Sequence, residues 1–176
     1  MRRLSERLAE GDRIAVIACV RDAAAARLAE AHGARALAID TAVAGIREAT
    51  TLPLLWIGDG EPVDADAVAV APGNDGAFGE LEAVLRVDDE DGLEAALDRH
   101  DPAMFLLDVP SRDEDVDPLE SVLDLLQNVP AGKLAIAGVE VGNRDEADTL
   151  ERAGFDAVLA SASRIADVVG SEPPEV

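Results

Sequence analysis

Lysine is almost absent from this sequence. Lys133 stands alone, and the 15 basic residues face 37 acidic ones, which leaves a formal charge of −22. A chain so acidic cannot supply the clustered cations that give affinity for a nucleic-acid backbone, so nucleic acid is excluded as a partner. Cysteine is represented by Cys19 only, which rules out an internal disulfide and points away from an oxidising compartment. Long apolar runs are missing too. None approaches the roughly 18 residues of a membrane span, and no basic, apolar leader opens the chain, so a soluble cytoplasmic protein with no membrane partner is expected. Aromatics make up 2% of residues. With few lysines, many carboxylates and small aliphatics, the composition resembles that of proteins from salt-loving archaea. About 1 M salt shortens the Debye length to roughly 3 Å and removes most of the self-repulsion such a surface carries in dilute buffer.

Eight short apolar runs are present: Ile14 to Val20, Arg35 to Ile39, Leu52 to Ile57, Ala65 to Ala71, Leu81 to Val87, Ala103 to Val109, Leu134 to Val139 and Ala157 to Ala160. Each has strand length, and their near-continuous apolarity suits parallel strands buried on both faces. Helical patterns sit between several of them, from Asp22, Asp88, Asp117 and Arg144 onward, with Gly33 and Gly154 as stops. His32 and His100 fall in last helical turns, where partial positive charge is favourable. The third and fourth connections, after Gly58 and after Pro72, are too short and too rich in Gly, Pro and Asp for full helices. An internal echo aligns Arg21-DAAAARLAEAHGARALA with Arg144-DEADTLERAGFDAVLA. The expectation is one domain over residues 1–176: an α/β, compact (β/α)8 TIM-barrel-like fold with helices 3 and 4 shortened or missing. An open doubly wound sheet is the structural rival, although no G-x-G-x-x-G follows the first strand. Missing helices should leave strand wall bare, which suggests a homodimer that hides it.

The segment Lys133-LAIAGVEVGNRDEADTLERAGFDAVLASAS-Arg164 reads as a phosphate-gripping unit. Gly138 and Gly142 close one apolar run, and Ser161 and Ser163 close the next at a new helix start. Small residues there let backbone N–H groups approach an anion. Ordinary turn and N-cap duty is the competing account of the same four residues. If the strands form a barrel, Asp40, Asp59 and Arg86 end strands at its mouth and are candidate substrate-binding residues. Arg86 could take a substrate carboxylate or phosphate, or pair with Asp40 or Asp108. No spacing marks a metal site, and no cofactor is expected.

Thr51-LPLLWIGDG, Leu81-EAVLRVDDEDGLEAALDRHDPAMFLLDV, Asp117-PLESVLDLLQNVPAGKLAIAGVEV and Asp156-AVLAS resemble successive segments of indole-3-glycerol-phosphate synthase. Ala18-Cys19, Leu106-Leu107-Asp108 and Ala137-Gly138 also resemble strand ends of its sibling in tryptophan biosynthesis, phosphoribosylanthranilate isomerase. Both resemblances imply a barrel that binds a sugar phosphate through the loops after strands seven and eight. The synthase pattern has lysines ending strands one and three and a glutamate on strand five. This sequence has Cys19-Val20, Trp56-Ile57-Gly58 and Arg86 there, and the glutamate expected beside the seventh-strand glycine stands two residues on, at Glu140. The isomerase resemblance implies Cys19 as general base and Asp108 as general acid.

Two functions follow as expectations. One is a non-catalytic or diverged binder of a phosphorylated small molecule, a barrel that has lost its lysine chemistry. The alternative is an active isomerase or lyase on a phosphorylated sugar-like substrate, using Cys19 and Asp108. The charge pattern also makes a prediction about folding. Thermal unfolding midpoints should rise between dilute buffer and molar KCl, and equal stability in the two would contradict adaptation to salt.

Overall fold

The structure, a computed structural model, describes residues 3–73, 79–99, 101–108, 115 and 117–170. Eight parallel strands follow one another around a closed barrel: β1 (Ala15–Cys19), β2 (Ala36–Ile39), β3 (Leu54–Trp56), β4 (Ala67–Val70), β5 (Glu82–Val87), β6 (Met104–Leu107), β7 (Leu134–Glu140) and β8 (Ala157–Ser161). Closure is complete, because β1 pairs with β8 from Ala15 opposite Ala157 to Cys19 opposite Ser161. The open sheet is thereby excluded. All eight strands fall on the apolar runs read from the sequence, with β7 and β8 each one residue longer.

Period-two alternation divides the apolar residues into two shells. Inward residues such as Ala15, Ile17, Leu55, Met104 and Ile136 form one buried cluster. Outward ones such as Val16, Leu54, Phe105 and Ala137 form the second, against the helices. Those helices are α2 (Ala23–Ala31), α4 (Glu90–Arg99), α5 (Pro118–Leu126), α6 (Arg144–Ala153) and the short α7 (Ile165–Val169). Their ends follow local chemistry. The Asp22 side chain accepts from Ala25 N at the start of α2, Asp117 caps α5 ahead of Pro118, and Gly154, at φ 113°, terminates α6. His32 is the C-cap residue of α2, while His100 lies outside the described residues.

The sequence pattern did not foresee α1 (Leu4–Ala9). Leu4 and Leu8, four residues apart on one helix face, are buried in the inner cluster and plug the N-terminal end of the barrel. Ser5 ties this plug to Glu82 at the start of β5. Lys133, at the start of β7, pairs with Asp101 at that same N-terminal end, far from any mouth chemistry.

The trimmed side extends further than expected. The β2–β3 connection has only the single turn α3 (Ile46–Ala49), and among the described residues no helix joins β3 to β4 or β4 to β5. The strand wall there is nevertheless covered. Outward Leu54, Trp56, Val68 and Val70 are all buried, packed in one cluster with Val43, Ile46, Leu52 and Ala65 from the loops. Among the described residues, the bare wall that suggested a homodimer is not seen, and the large hydrophobics exposed there are Leu28 and Val63.

Polar interactions bind this loop layer down. Arg47 of α3 forks onto buried Asp66 through Nη1 to Oδ2 at 2.9 Å and Nη2 to Oδ1 at 3.2 Å. Asp66 Oδ2 also accepts from Leu54 N at 2.9 Å, and the Asp66 backbone bonds to Leu54 and Glu82. The carboxylate thus ties the α3 turn to β3, while the Asp66 backbone bonds to Leu54 of β3 and to Glu82 of β5. Asp66→Ala would leave Leu54 N–H buried without its acceptor and should cost about 2–3 kcal/mol. In urea titration this reads as a lower midpoint at unchanged slope; an unaltered midpoint would show that the fork is dispensable.

Candidate functional site

The C-terminal strand ends form the mouth, and a side-chain staple spans the ends of β3, β5 and β6. Val84 faces the barrel interior, so Arg86, two residues on, faces inward one layer higher. Its Nε donates to Asp108 Oδ2 at 2.8 Å, and its Nη1 donates to the Ile57 carbonyl at 3.1 Å. The guanidinium links the ends of β3, β5 and β6, across the intervening β4. Arg86 thus takes the ion-pair role that competed with ligand binding, and the structure brings Asp108 together with Arg86 rather than with Cys19. Neither residue lines the cavities described next.

The half of the mouth over β7, β8, β1 and β2 is open. One cavity of about 560 Å³ is lined by Cys19, Arg21, Asp40, Ile57, Glu140, Ser161 and Ser163, among others. A second, of about 500 Å³, is lined by Glu140, Val141, Gly142, Asn143, Ser161, Ser163 and Arg164. Glu140, Ser161 and Ser163 are common to both. Of the residues expected at the mouth, this half gathers Cys19, Asp40, Gly142, Ser161 and Ser163. Asp59 is exposed in the loop after β3 and lines neither cavity.

Gly138 lines neither cavity, and its purpose is different from the anion contact expected of it. A Cβ there would stand 2.6 Å from the Leu107 carbonyl oxygen and 3.1 Å from Asp108 Cα, so only glycine allows β7 to run this close to β6. The β7–β8 ladder shifts at the same place: Ala137 opposes Val158, and the next pair is Glu140 opposite Leu159. Alternation from inward Ile136 already puts Glu140 on the inner face at the mouth, and the shift sets it level with inward Leu159.

There Glu140 meets Cys19. Burial, the Glu140 charge and hydrogen bond, and Asp40 push the Cys19 thiol from its ordinary 9.0 up to about 12, against weaker help from Arg21. The thiol keeps its proton at neutral pH, which does not suit the general-base role implied by the isomerase resemblance.

At the second cavity the Ser161 and Ser163 hydroxyls lie 3.1 Å apart. Ser163 and Arg164 belong to a helical turn at 162–164 that follows β8 directly. The Arg164 guanidinium is exposed and only loosely engaged, 3.9 Å from Asp167. Gly142 N–H is occupied, donating to Glu146 Oε2 at 2.7 Å, while Asn143 caps α6 by accepting from Glu146 N. An anion can therefore be met here by two hydroxyls and a guanidinium, and by the Gly142 amide where it displaces Glu146. Arg21, Asn143 and Arg164 were not singled out in the sequence, because an arginine beside a strand end looks like any surface arginine until the barrel closes. Among the described residues no three His, Cys, Asp or Glu side chains converge as a metal site requires, and no helix is long and apolar enough to cross a membrane.

No family model and no curated protein matches the sequence, so the resemblance to tryptophan-pathway enzymes gains no support from either. Among solved structures, the chain is similar to (S)-3-O-geranylgeranylglyceryl phosphate synthase from Thermoplasma acidophilum, determined in complex with its substrate sn-glycerol-1-phosphate. The match covers 96% of this chain and 98% of the other at a TM-score of 0.60 and 15% identity. At that identity the likeness is one of fold.

The Cys19 environment is directly measurable. At pH 8, alkylation of the folded protein by iodoacetamide should run about a thousandfold slower than that of an exposed cysteine. Glu140→Gln should speed it up, since the variant removes the neighbouring charge. Because the folded-state value is raised, stability is intact below about pH 9 and is lost as pH climbs toward 12. Fast alkylation of the native protein would contradict this placement.

Proposed function

We propose that this barrel binds a phosphorylated small molecule in the open half of its mouth, with the phosphate in the cavity between the β7 and β8 loops, and that it does so without lysine chemistry. The observation that carries the reading is the convergence of Ser161, Ser163, Arg164 and Gly142 on one cavity contiguous with a larger one over β1 and β2. In barrels of this kind, phosphates commonly sit at the loops after the seventh and eighth strands, beside a short extra helix. The turn at 162–164 stands in that place. The structural neighbour's glycerol phosphate ligand supplies the first compound to test.

Isomerase or lyase chemistry through Cys19 and Asp108 is the weaker reading. A thiol pushed up to about 12 makes a poor base near neutrality, and Asp108 accepts from Arg86 on the stapled side of the mouth. The sole lysine, Lys133, lies at the opposite end of the barrel, so a Schiff base has no amine at the mouth.

Thermal shift and calorimetry in molar KCl provide the test. sn-Glycerol-1-phosphate should raise the unfolding midpoint, and glycerol at equal concentration should not. Replacing both serines (Ser161→Ala with Ser163→Ala), or Arg164→Met alone, should weaken binding by about tenfold. Equal response to glycerol, or binding unaffected by these variants, would remove the phosphate from this site.

A further inference from the structure

We infer that Glu140 sets the ligand class: the mouth takes a monophosphate whose remainder carries hydroxyls and no second anionic group. This rests on the proposed phosphate site and adds what lies beyond it.

The two cavities differ in charge and share Glu140, Ser161 and Ser163. In the smaller, Arg164 accompanies two serine hydroxyls, and Glu140 is the one carboxylate. In the larger, Arg21 faces Asp22, Asp40 and Glu140. Asp22 is already engaged as the cap of α2, accepting from Ala25 N at 2.7 Å, so Asp40 and Glu140 are the carboxylates that meet a ligand. A molecule with its phosphate against Ser161 and Ser163 has Glu140 beside it in both cavities and Asp40 ahead of it in the larger one. Hydroxyls can donate to both carboxylates there, whereas a second phosphate or a carboxylate has no proton to offer and is repelled. Excluding a competitor by an unfavourable charge is an established route to specificity.

The backbone supports assigning this task to Glu140. Alternation from inward Ile136 puts Glu140 on the inner face, and the register shift after Ala137 sets it level with inward Leu159. Ladder irregularities of this kind are over-represented beside active sites.

A matched ligand pair tests the inference. sn-Glycerol-1-phosphate and phosphoglycerate differ at the end far from the phosphate, a hydroxymethyl in one and a carboxylate in the other. By calorimetry at the lowest salt that keeps the chain folded, the unaltered protein should prefer the glycerol phosphate by at least about tenfold. Glu140→Gln, which keeps side-chain size, should bring the two ligands close to parity, with Asp40→Asn acting in the same direction. The double serine variant should weaken both ligands equally and leave their ratio alone. Equal binding of the pair by the unaltered protein, or an unchanged ratio in Glu140→Gln, overturns the inference while the phosphate site stands. Failure of both ligands to bind either protein overturns the phosphate site and the inference together.

Discussion

A guanidinium stretched across the barrel mouth determines what the rest of the molecule can do. Arg86 reaches from β5 to Asp108 and to the Ile57 carbonyl, closing the rim where the chain provides least helix. On the same side Asp66 gathers Arg47, Leu54 and Glu82, and loop residues take the place of the absent helices over Leu54, Trp56, Val68 and Val70. Two arginine–carboxylate pairs thus hold a wall that helices cover elsewhere in the barrel. Among the described residues, the two cavities at the mouth lie away from this staple, over β7, β8, β1 and β2.

In the open half, chemistry is arranged by backbone geometry. Glycine at 138 lets β7 crowd β6, the ladder shifts, and Glu140 arrives beside Cys19 and Asp40. The result is a protonated thiol and two carboxylates on one side of a divided cavity, with hydroxyls and Arg164 on the other. The proposed grip on a phosphate and the proposed selection of its remainder rest on this arrangement. A nucleophile activated for covalent chemistry would need a thiolate or a free amine, and the mouth presents neither among the described residues.

Much of the architecture was legible in the sequence, because parallel barrel strands are buried on both faces and leave continuous apolar runs. All eight strands and the four long helices follow from that pattern and from caps such as Asp22, Asp117 and Gly154. The plug α1 escaped notice since six residues with two leucines show no helical period. The covered wall beside β3 and β4 escaped it because Val43, Leu52 and Ala65 act through tertiary packing, without local periodicity. At the mouth, Ser161, Ser163, Gly142 and Asp40 could be placed by strand ends alone. At Gly138 the sequence suggested an anion turn, and the crowding of β7 against Leu107 that also requires glycine there is visible only in the structure. The glutamate read as displaced by two residues, Glu140, keeps the inward face of Ile136, and the ladder shift, which the sequence does not reveal, sets it opposite Leu159. The Arg86–Asp108 pair was one of two partners considered for that arginine, and closure of the barrel decides between them.

The most direct test of a mouth divided in this way is residue-resolved: backbone amide NMR of the isotope-labelled protein titrated with sn-glycerol-1-phosphate. Shifts should concentrate at Gly142, Ser161, Ser163 and Arg164, with Ile57, Arg86 and Asp108 unmoved. Saturable shifts centred on Arg86 and Asp108, with the β7 and β8 loops silent, would contradict the account.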